Sequence, residues 1–292
     1  MGVITIDPKD ISVTELNGYL LGTISPRPIA FASTVDKNGK VNLSPFSFFN
    51  VFSTKPPILI FSPSRRVRDN TTKHTLENIL EVPEVVINTV SYSLVQQTSL
   101  ASVEYAKGVN EFTKAGFTEV HSQCVKPPRV GESPASFECK VNQVIPLGTE
   151  GGAGNLIICE ILLMHFKEVL FDASGKIDPN KVDAVARMGG DFYCRVNGDN
   201  IFTVPKPNSK QGIGFDQIPL RIRNSKILTG NDLGMLGNIE RLPNQSEIHK
   251  EKQSVELMNA TRNVEEGVHL LAKKYLSTGE IEKAWLVLLS AE

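Results

Sequence analysis

The sequence predicts a mainly β chain with α-helical insertions, in which a closed or nearly closed antiparallel barrel precedes a C-terminal helical tail. Short segments dense in Val, Ile and Phe recur between Ile24 and about residue 170, with little helical periodicity. The pair Asn38-Gly39 lies between two of these segments, where a tight hairpin turn needs positive φ angles. Strict alternation of strands and helices is absent, which disfavours a doubly wound parallel sheet.

Six segments account for most of the predicted sheet. Each is short and rich in β-branched or aromatic residues, and prolines mark the start of the third, since proline lacks an N–H for the ladder. They are IAFASTV (29–35), VNLSPFSFF (41–49), PPILIFSPS (56–64), VVINTV (85–90), FECKVNQVIPL (137–147) and LIICEILLMHF (156–166).

Two helices are predicted among the strands, KHTLENILE (73–81) and SLVQQTSLASVEY (93–105), because apolar residues recur there at helical spacing. After about residue 200 the composition shifts to Gly, Pro, Asn and Ser, and later to helical periodicity interrupted near residues 277–279. We therefore predict three parts: a barrel domain over residues 1–199, an extended wrapping segment over 200–245, and a helical hairpin over 246–292.

Composition narrows the classes of partner. The 292 residues carry a formal net charge of -1, so no overall field attracts nucleic acid or an anionic membrane. No apolar run approaches the roughly 18 residues of a transmembrane helix, and the N-terminus lacks a secretion signal, so we expect a cytoplasmic protein. The four cysteines and five histidines show no metal-ligand spacing, and we expect no metal site.

The sequence offers no side-chain nucleophile. It has no G-x-S-x-G elbow and no Walker motif, and the glycine-rich GTEGGAGN (148–155) lies between two predicted strands, where a flexible hairpin loop is the better interpretation. We therefore assign no catalytic acid, base or nucleophile. This absence favours a cofactor that performs the reaction while the protein orients it.

The segment NLSPFSFFN (42–50) is unusual for a core strand. Its proline turns backbone groups away from the ladder, and Ser44, Ser47 and Asn50 add short polar groups, which suits the polar ring edge of a planar cofactor such as a flavin. A bulged edge strand with solvated serines explains the segment equally well. The basic run SPSRRVRDNTTK (62–73) precedes a predicted helix, and helix N-termini favour anions such as phosphate; a solvated loop is its alternative.

Four motifs occur in order: SPRPIAFAST (25–34), VNLSPFSFFNVFSTKPPILIFSPS (41–64), KHTLENI (73–79) and DAVARMGGDFYCRV (183–196). Together they resemble the flavin reductase-like, FMN-binding split-barrel family, over roughly residues 18–196. The resemblance implies an antiparallel, Greek-key-like split β-barrel with helical insertions.

The resemblance also implies a set of cofactor-binding residues. Those expected to line the isoalloxazine ring, largely through backbone groups, are Ser44, Pro45, Phe46, Ser47, Phe48, Phe49 and Asn50. Those expected at the phosphate and ribityl chain are Ser33, Thr34, Ser62, Lys73 and Thr75, and His165 matches a histidine of a late strand in the family.

Two departures affect the phosphate contacts. His74 replaces the acid of the family's K-D-T pattern, and the segment before it is longer than the family leads us to expect. Either Arg65, Arg66 or Arg68 is therefore an alternative to Lys73 as the cation that holds the phosphate.

The resemblance implies an FMN-dependent oxidoreductase of the NAD(P)H:flavin reductase type, which passes electrons to oxygen, free flavin or a redox protein. A flavoredoxin-like FMN electron carrier without its own NAD(P)H site is the alternative, and NADH is not distinguished from NADPH. An apo scaffold whose tail binds a protein is a third possibility. The resemblance further implies a homodimer with FMN near the interface, for which Phe46, Phe48 and Phe49 offer an apolar face, although core packing explains these rings equally well.

Overall fold

The computed structural model describes residues 2–206, 211–251 and 264–290. The chain folds as two compact units, Met1–Phe202 and Thr203–Glu292. Part of the predicted helical hairpin, residues 252–263 and 291–292, lies outside the described residues. No helix among those that are described is long and apolar enough to cross a membrane.

The first unit contains eleven strands and five helices among its described residues. The strands are β1 Ala30–Val35, β2 Val41–Phe46, β3 Phe49–Thr54, β4 Pro57–Phe61, β5 Glu84–Asn88, β6 Glu119–Val120, β7 Arg129–Val130, β8 Ala135–Pro146, β9 Asn155–Phe166, β10 Val185–Gly189 and β11 Phe192–Arg195. The helices are α1 Val13–Thr23, α2 His74–Glu81, α3 Val95–Leu100, α4 Glu111–Ala115 and α5 Pro179–Val182.

Seven strands form one antiparallel sheet in the order β2-β1-β5-β8-β9-β4-β3. Its two outermost strands, β2 and β3, are consecutive in the chain and are joined only by Ser47 and Phe48. Three Cα–Cα steps span at most about 11 Å, so the ends of these strands lie close together although they occupy opposite edges. The sheet therefore curls into a barrel that stays split between β2 and β3, and the mainly β antiparallel prediction is confirmed.

The hairpin between β1 and β2 forms where Asn38-Gly39 predicted it. Gly39 has φ +77°, which an L side chain rarely adopts. The carboxylate of Asp36 accepts hydrogen bonds from the backbone N–H groups of Asn38 (2.8 Å) and Lys40 (2.9 Å), which closes the turn. Strands β1 and β2 are thereby registered so that Ala32 faces Ser44.

The barrel interior is an apolar cluster that includes one of the aromatic residues predicted at the site. Phe46 is only 9% exposed and packs against Phe61, with ring centroids 5.4 Å apart. Leu76 and Ile79 of α2 complete this cluster from the helix side. Of the two explanations for the Phe46 ring, core packing is therefore the one that the structure supports.

The glycine-rich segment 148–155 is the loop of the β8–β9 hairpin. It packs against the basic run, because a Cβ on Gly151 would lie 3.0 Å from the backbone oxygen of Arg66 and from Cα of Val67. The backbone N–H of Arg65 also donates to the carbonyl of Ala153 (2.8 Å). The hairpin-loop interpretation is confirmed, and the loop supports the segment that carries the arginines.

The two predicted helices of the barrel domain differ in outcome. The helix predicted over residues 73–81 is confirmed as α2. The helix predicted over 93–105 is too long, because α3 ends at Leu100, and Val103 is 49% exposed instead of lying on a buried face. Ser102 contributes to this end, since its hydroxyl donates to the carbonyl of Ser99 and competes with the helical pattern.

The second unit has its own helical core. Its described helices are α6 Leu220–Arg223, α7 Gly230–Gly237, α8 Gln245–Glu251, α9 Val264–Ser277 and α10 Ile281–Ser290. Trp285 is fully buried there and donates its indole N–H to the carbonyl of Leu236 (3.0 Å). The segment predicted as extended, 200–245, is thus helical in part, because the buried side chains of Ile222 and Leu236 belong to this core.

Candidate functional site

A polar pocket opens at the free edge of the barrel sheet, beside β2. The start of α2 forms one wall, and the loop between α3 and α4 (residues 101–110) forms the wall opposite. The pocket is lined mainly by polar and charged side chains, among them Asn42, Ser44, Arg66, Lys73, Thr75 and Glu104.

Strand β2 has a strand partner on one side only, within the part of the chain that the structure describes. On its open side, the N–H of Leu43 donates to the carboxylate of Glu111 (2.9 Å), and Pro45 has no N–H to donate. Burial raises the pKa of Glu111, although the N–H of Leu43 and its own N–H oppose this. Strand β2 pairs with β1 in continuous register through Pro45, so it is an edge strand without a bulge, and the side chain of Glu111 takes the place of a strand partner at Leu43.

Buried amide–hydroxyl pairs connect the sheet to α2. The side-chain amide of Asn42 donates to the hydroxyl of Thr75 (2.9 Å), and that of Asn78 donates to the hydroxyl of Thr34 (3.2 Å). These bonds hold the first turn of α2 against the pocket. Burial lowers the pKa of His74, and the neighbouring cations add to this effect, whereas the carboxylate of Glu77 opposes it.

The basic run divides its cations between two places. Arg65 is held within its own loop, because its guanidinium donates to the side-chain and backbone oxygens of Asn70 (both 2.6 Å). Arg66 and Lys73 line the pocket, and both donate to Glu104, at 2.8 and 3.0 Å. Arg68 also pairs with Glu104 but is largely exposed outside the pocket. Arg66 and Lys73 are therefore the two cations of the basic run that line the pocket.

The structure brings three of the residues expected at the cofactor into the pocket: Ser44, Lys73 and Thr75. The hydroxyls of Ser33 and Ser62 are buried and lack a partner among the described residues. Ser33 lies within β1, and Ser62 follows β4 close to Gly154, where an added Cβ would lie 2.6 Å from its hydroxyl oxygen.

The rest of the segment predicted to line a ring lies around the connection between β2 and β3. Pro45 and Ser47 are half-buried, whereas Phe48 is 43% exposed and Asn50 is exposed. Phe49 is partly buried and packs against the barrel core. Ser47 and Phe48 belong to neither strand, so this is where the backbone leaves the ladder.

His165 lies in a different cluster. Its Nε2 is 2.7 Å from the carboxylate of Glu138, which is fully buried and also accepts a hydrogen bond from the N–H of Gln123 (2.9 Å). Burial opposes ionisation of Glu138, but the backbone N–H groups and His165 together lower its pKa. Glu138 therefore anchors the chain around Gln123 to the sheet, and its partner His165 does not line the pocket.

Sequence reasoning missed three residues that shape the pocket: Asn42, Glu104 and Glu111. Both acids lie in SVEYAKGVNEF (102–112), part of which was assigned to a helix. The sequence gives one weak indication of such residues: the basic run needs negatively charged partners. It does not show which of the acids provide them. Among the described residues, no group of three or more His, Cys, Asp or Glu is arranged to hold a metal ion.

Comparisons with known proteins place the fold of the first unit in a family. A family model described as a flavin reductase like domain matches residues 22–177. An uncharacterized protein of Aquifex aeolicus (strain VF5) is 38% identical over 191 residues, covering 65% of this chain and 95% of that protein.

Two solved structures resemble the first unit. Nitrilotriacetate monooxygenase component B from Bacillus cereus has a TM-score of 0.65 and 27% identity, covering 70% of this chain and 100% of that one. The 2-nitrobenzoate 2-nitroreductase NbaA of Pseudomonas fluorescens has a TM-score of 0.60 and 26% identity, covering 69% and 96% of the two chains.

The hydrogen bond from Leu43 to Glu111 yields a test of how the open edge is stabilised. We expect Glu111→Ala to lower the free energy of unfolding by about 1–3 kcal/mol, because a buried N–H loses its acceptor. Glu111→Gln keeps an oxygen acceptor and is expected to lose less. Urea unfolding followed by circular dichroism measures both variants, and equal stabilities for Glu111→Ala and the wild type would contradict this role.

Proposed function

The chain belongs to the flavin reductase-like domain family, whose members are flavin-related oxidoreductases with a split-barrel fold, and from this membership we propose that it binds FMN and reduces it with NADH or NADPH. The two solved relatives named above are a component of a monooxygenase and a nitroreductase, which supports redox chemistry at the same site. The proposed compartment is the cytoplasm.

The observation that carries the proposal is the convergence of Arg66, Lys73, Ser44 and Thr75 on one pocket beside the edge strand β2. Guanidinium, ammonium and hydroxyl groups are the donors that phosphate accepts, and two cations suit the dianionic phosphate of FMN. The donor set therefore fits this group. Lys73 supplies a point charge, while Arg66 supplies a fixed fork of N–H donors.

The connection between β2 and β3 is the proposed place for the flavin ring. Ser47 and Phe48 lie outside both strands, and Pro45 has no N–H to donate at the open edge of β2, although the carbonyl of Phe48 already accepts a hydrogen bond from the N–H of Ser62 (2.9 Å). A bound flavin would supply the redox chemistry by accepting a hydride from a reduced nicotinamide and passing electrons onward. The chain's part is to bind and orient, and we assign no residue as acid or base.

We also propose that the protein forms a homodimer. Met164 and Phe166 lie two residues apart on one face of β9 and are 54% and 39% exposed, and Leu162, at the irregularity between Ile161 and Leu163, is 44% exposed. A row of exposed apolar side chains on a sheet is typical of an interaction surface. This row is a better candidate for the dimer face than Phe46, which is buried in the core.

The first prediction for this function concerns the phosphate. We expect Lys73→Ala to lower the affinity for FMN about tenfold, because a charge-assisted hydrogen bond is lost, and to change the affinity for riboflavin less than about twofold. Titration followed by quenching of flavin fluorescence measures both. Lys140→Ala is the matched control, since Lys140 pairs with Glu160 on the β8–β9 hairpin and does not line the pocket. Equal losses for both flavins would place the phosphate elsewhere.

The second prediction concerns the electron donor. After anaerobic stopped-flow mixing of the FMN-loaded protein with NADH or NADPH, we expect rapid bleaching of the yellow flavin with at least one of them. Bound FMN that neither nucleotide bleaches would contradict a reductase and support an electron carrier. A protein that neither carries nor quenches added FMN would support the apo-scaffold hypothesis.

The third prediction concerns assembly. We expect the wild type to elute as a dimer in size-exclusion chromatography with light scattering, and Met164→Glu to shift it toward the monomer, because a buried charge without a partner opposes association. Glu168→Lys changes a charge just beyond the exposed apolar row of β9; this variant is the control and should remain dimeric. A monomeric wild type at micromolar concentration would contradict the proposal.

A further inference from the structure

The carboxylate of Glu104 already pairs with both cations of the pocket. Glu104 accepts hydrogen bonds from Nε of Arg66 (2.8 Å) and Nζ of Lys73 (3.0 Å), and it also contacts the guanidinium of Arg68. The hydrogen bond from Arg66, followed by that from Lys73, lowers the pKa of Glu104 to about 2. An internal anion therefore lies where the donor set fits a phosphate.

Arg66 does not need Glu104 to hold its position. One terminal nitrogen of its guanidinium donates to the hydroxyl of Thr71 (2.9 Å) and to the carbonyl of Thr72, and its backbone N–H donates to the carbonyl of Thr71 (2.9 Å). These bonds lie within the basic run itself. The guanidinium of Arg66 is thus oriented by its own loop. The carboxylate of Glu104 neutralises its charge but is not needed to position it.

Lys73 differs, because Glu104 is its only hydrogen-bonded partner for Nζ among the residues that the structure describes. A phosphate that binds Lys73 must share that ammonium with the carboxylate or displace it. Two anions on the same donors repel each other, so part of the attraction for a phosphate is offset when Glu104 is present.

The loop segment that carries Glu104 can move aside when a ligand binds. Residues 102–104 and 106–108 are exposed and lie in no helix or strand. The side chain of Lys107 pairs with Glu77 (2.7 Å), and Asn110 caps α4, so the far end of the loop is held while the part around Glu104 buries little surface. Moving the carboxylate away from the pocket therefore leaves the core undisturbed.

We propose that the carboxylate of Glu104 competes with the flavin phosphate for Arg66 and Lys73. This competition lowers the affinity of the pocket for FMN, so that FMN exchanges readily. This inference rests on the proposed function and deepens it, because it concerns how the same pocket holds its flavin. A flavin that leaves after reduction acts as a diffusible substrate, delivered to a separate acceptor. The contact thus favours a reductase that releases flavin over a carrier that keeps it.

The test compares Glu104→Gln with the wild type. At low ionic strength we expect about tenfold tighter FMN binding and a correspondingly slower release of FMN. The substitution removes the repulsion between the Glu104 carboxylate and the FMN phosphate, while glutamine keeps the shape of the side chain. Riboflavin affinity should change less than about twofold, since riboflavin has no phosphate. Fluorescence titration gives both affinities, and displacement of bound FMN by excess riboflavin gives the release rate.

Two control variants isolate the contact. Glu104→Asp keeps the charge and is expected to bind FMN within about threefold of the wild type. Glu160→Gln removes one negative charge from the β8–β9 hairpin, where Glu160 pairs with Lys140, and it controls for net charge alone. Both should leave FMN release close to that of the wild type.

Each outcome decides between specific alternatives. If the wild type binds FMN, weaker FMN binding in Glu104→Gln would show that Glu104 positions the cations, and unchanged binding would show that it does not compete with the phosphate. Either result would overturn this inference alone. Equal tightening of FMN and riboflavin would also overturn it, because the effect would not involve the phosphate. If no variant binds either flavin, the proposed function itself fails.

Discussion

The two-residue connection between β2 and β3 is the constraint on which the first unit depends. The connection formed by Ser47 and Phe48 is too short to let the two strands separate, yet the strands pair with different neighbours at opposite edges of the sheet. The sheet must therefore curl until its edges approach, and the split between them leaves β2 with an open side. A helix-borne carboxylate, that of Glu111, takes one of the N–H groups on this side.

The open side explains why the polar pocket lies where it does. An edge strand presents groups that a neighbouring strand would otherwise satisfy, and proteins commonly cover such edges with side chains, proline or charges. Here the cover consists of Pro45, Glu111 and the cations of the basic run. Because this cover is polar and carries cations, its chemistry suits an anionic ligand.

The site was predictable to the extent that it depends on neighbours in sequence. Lys73 and Thr75 were expected at the pocket because they begin a helix after a basic run, and Ser44 because it interrupts a strand next to a proline. His165 illustrates the limit: its strand was predicted, but its partner Glu138 lies on the neighbouring strand β8, and the contact between them depends on sheet register. In the same way, the sequence does not indicate that Arg65 bonds within its own loop while Arg66 lines the pocket with Lys73.

By itself the sequence determined the local elements of this protein: the Asn38-Gly39 turn, helix α2, the long β8–β9 hairpin and the family motifs, since each follows from residues a few positions apart. The tertiary structure alone decided that VNLSPFSFF is divided between opposite sheet edges, that the segment after residue 200 supplies buried helices to a second core, and that Glu104 meets Arg66 and Lys73. The physical reason is that strand order, core membership and ion pairing depend on chain segments distant in sequence, whose approach the packing of the whole unit settles.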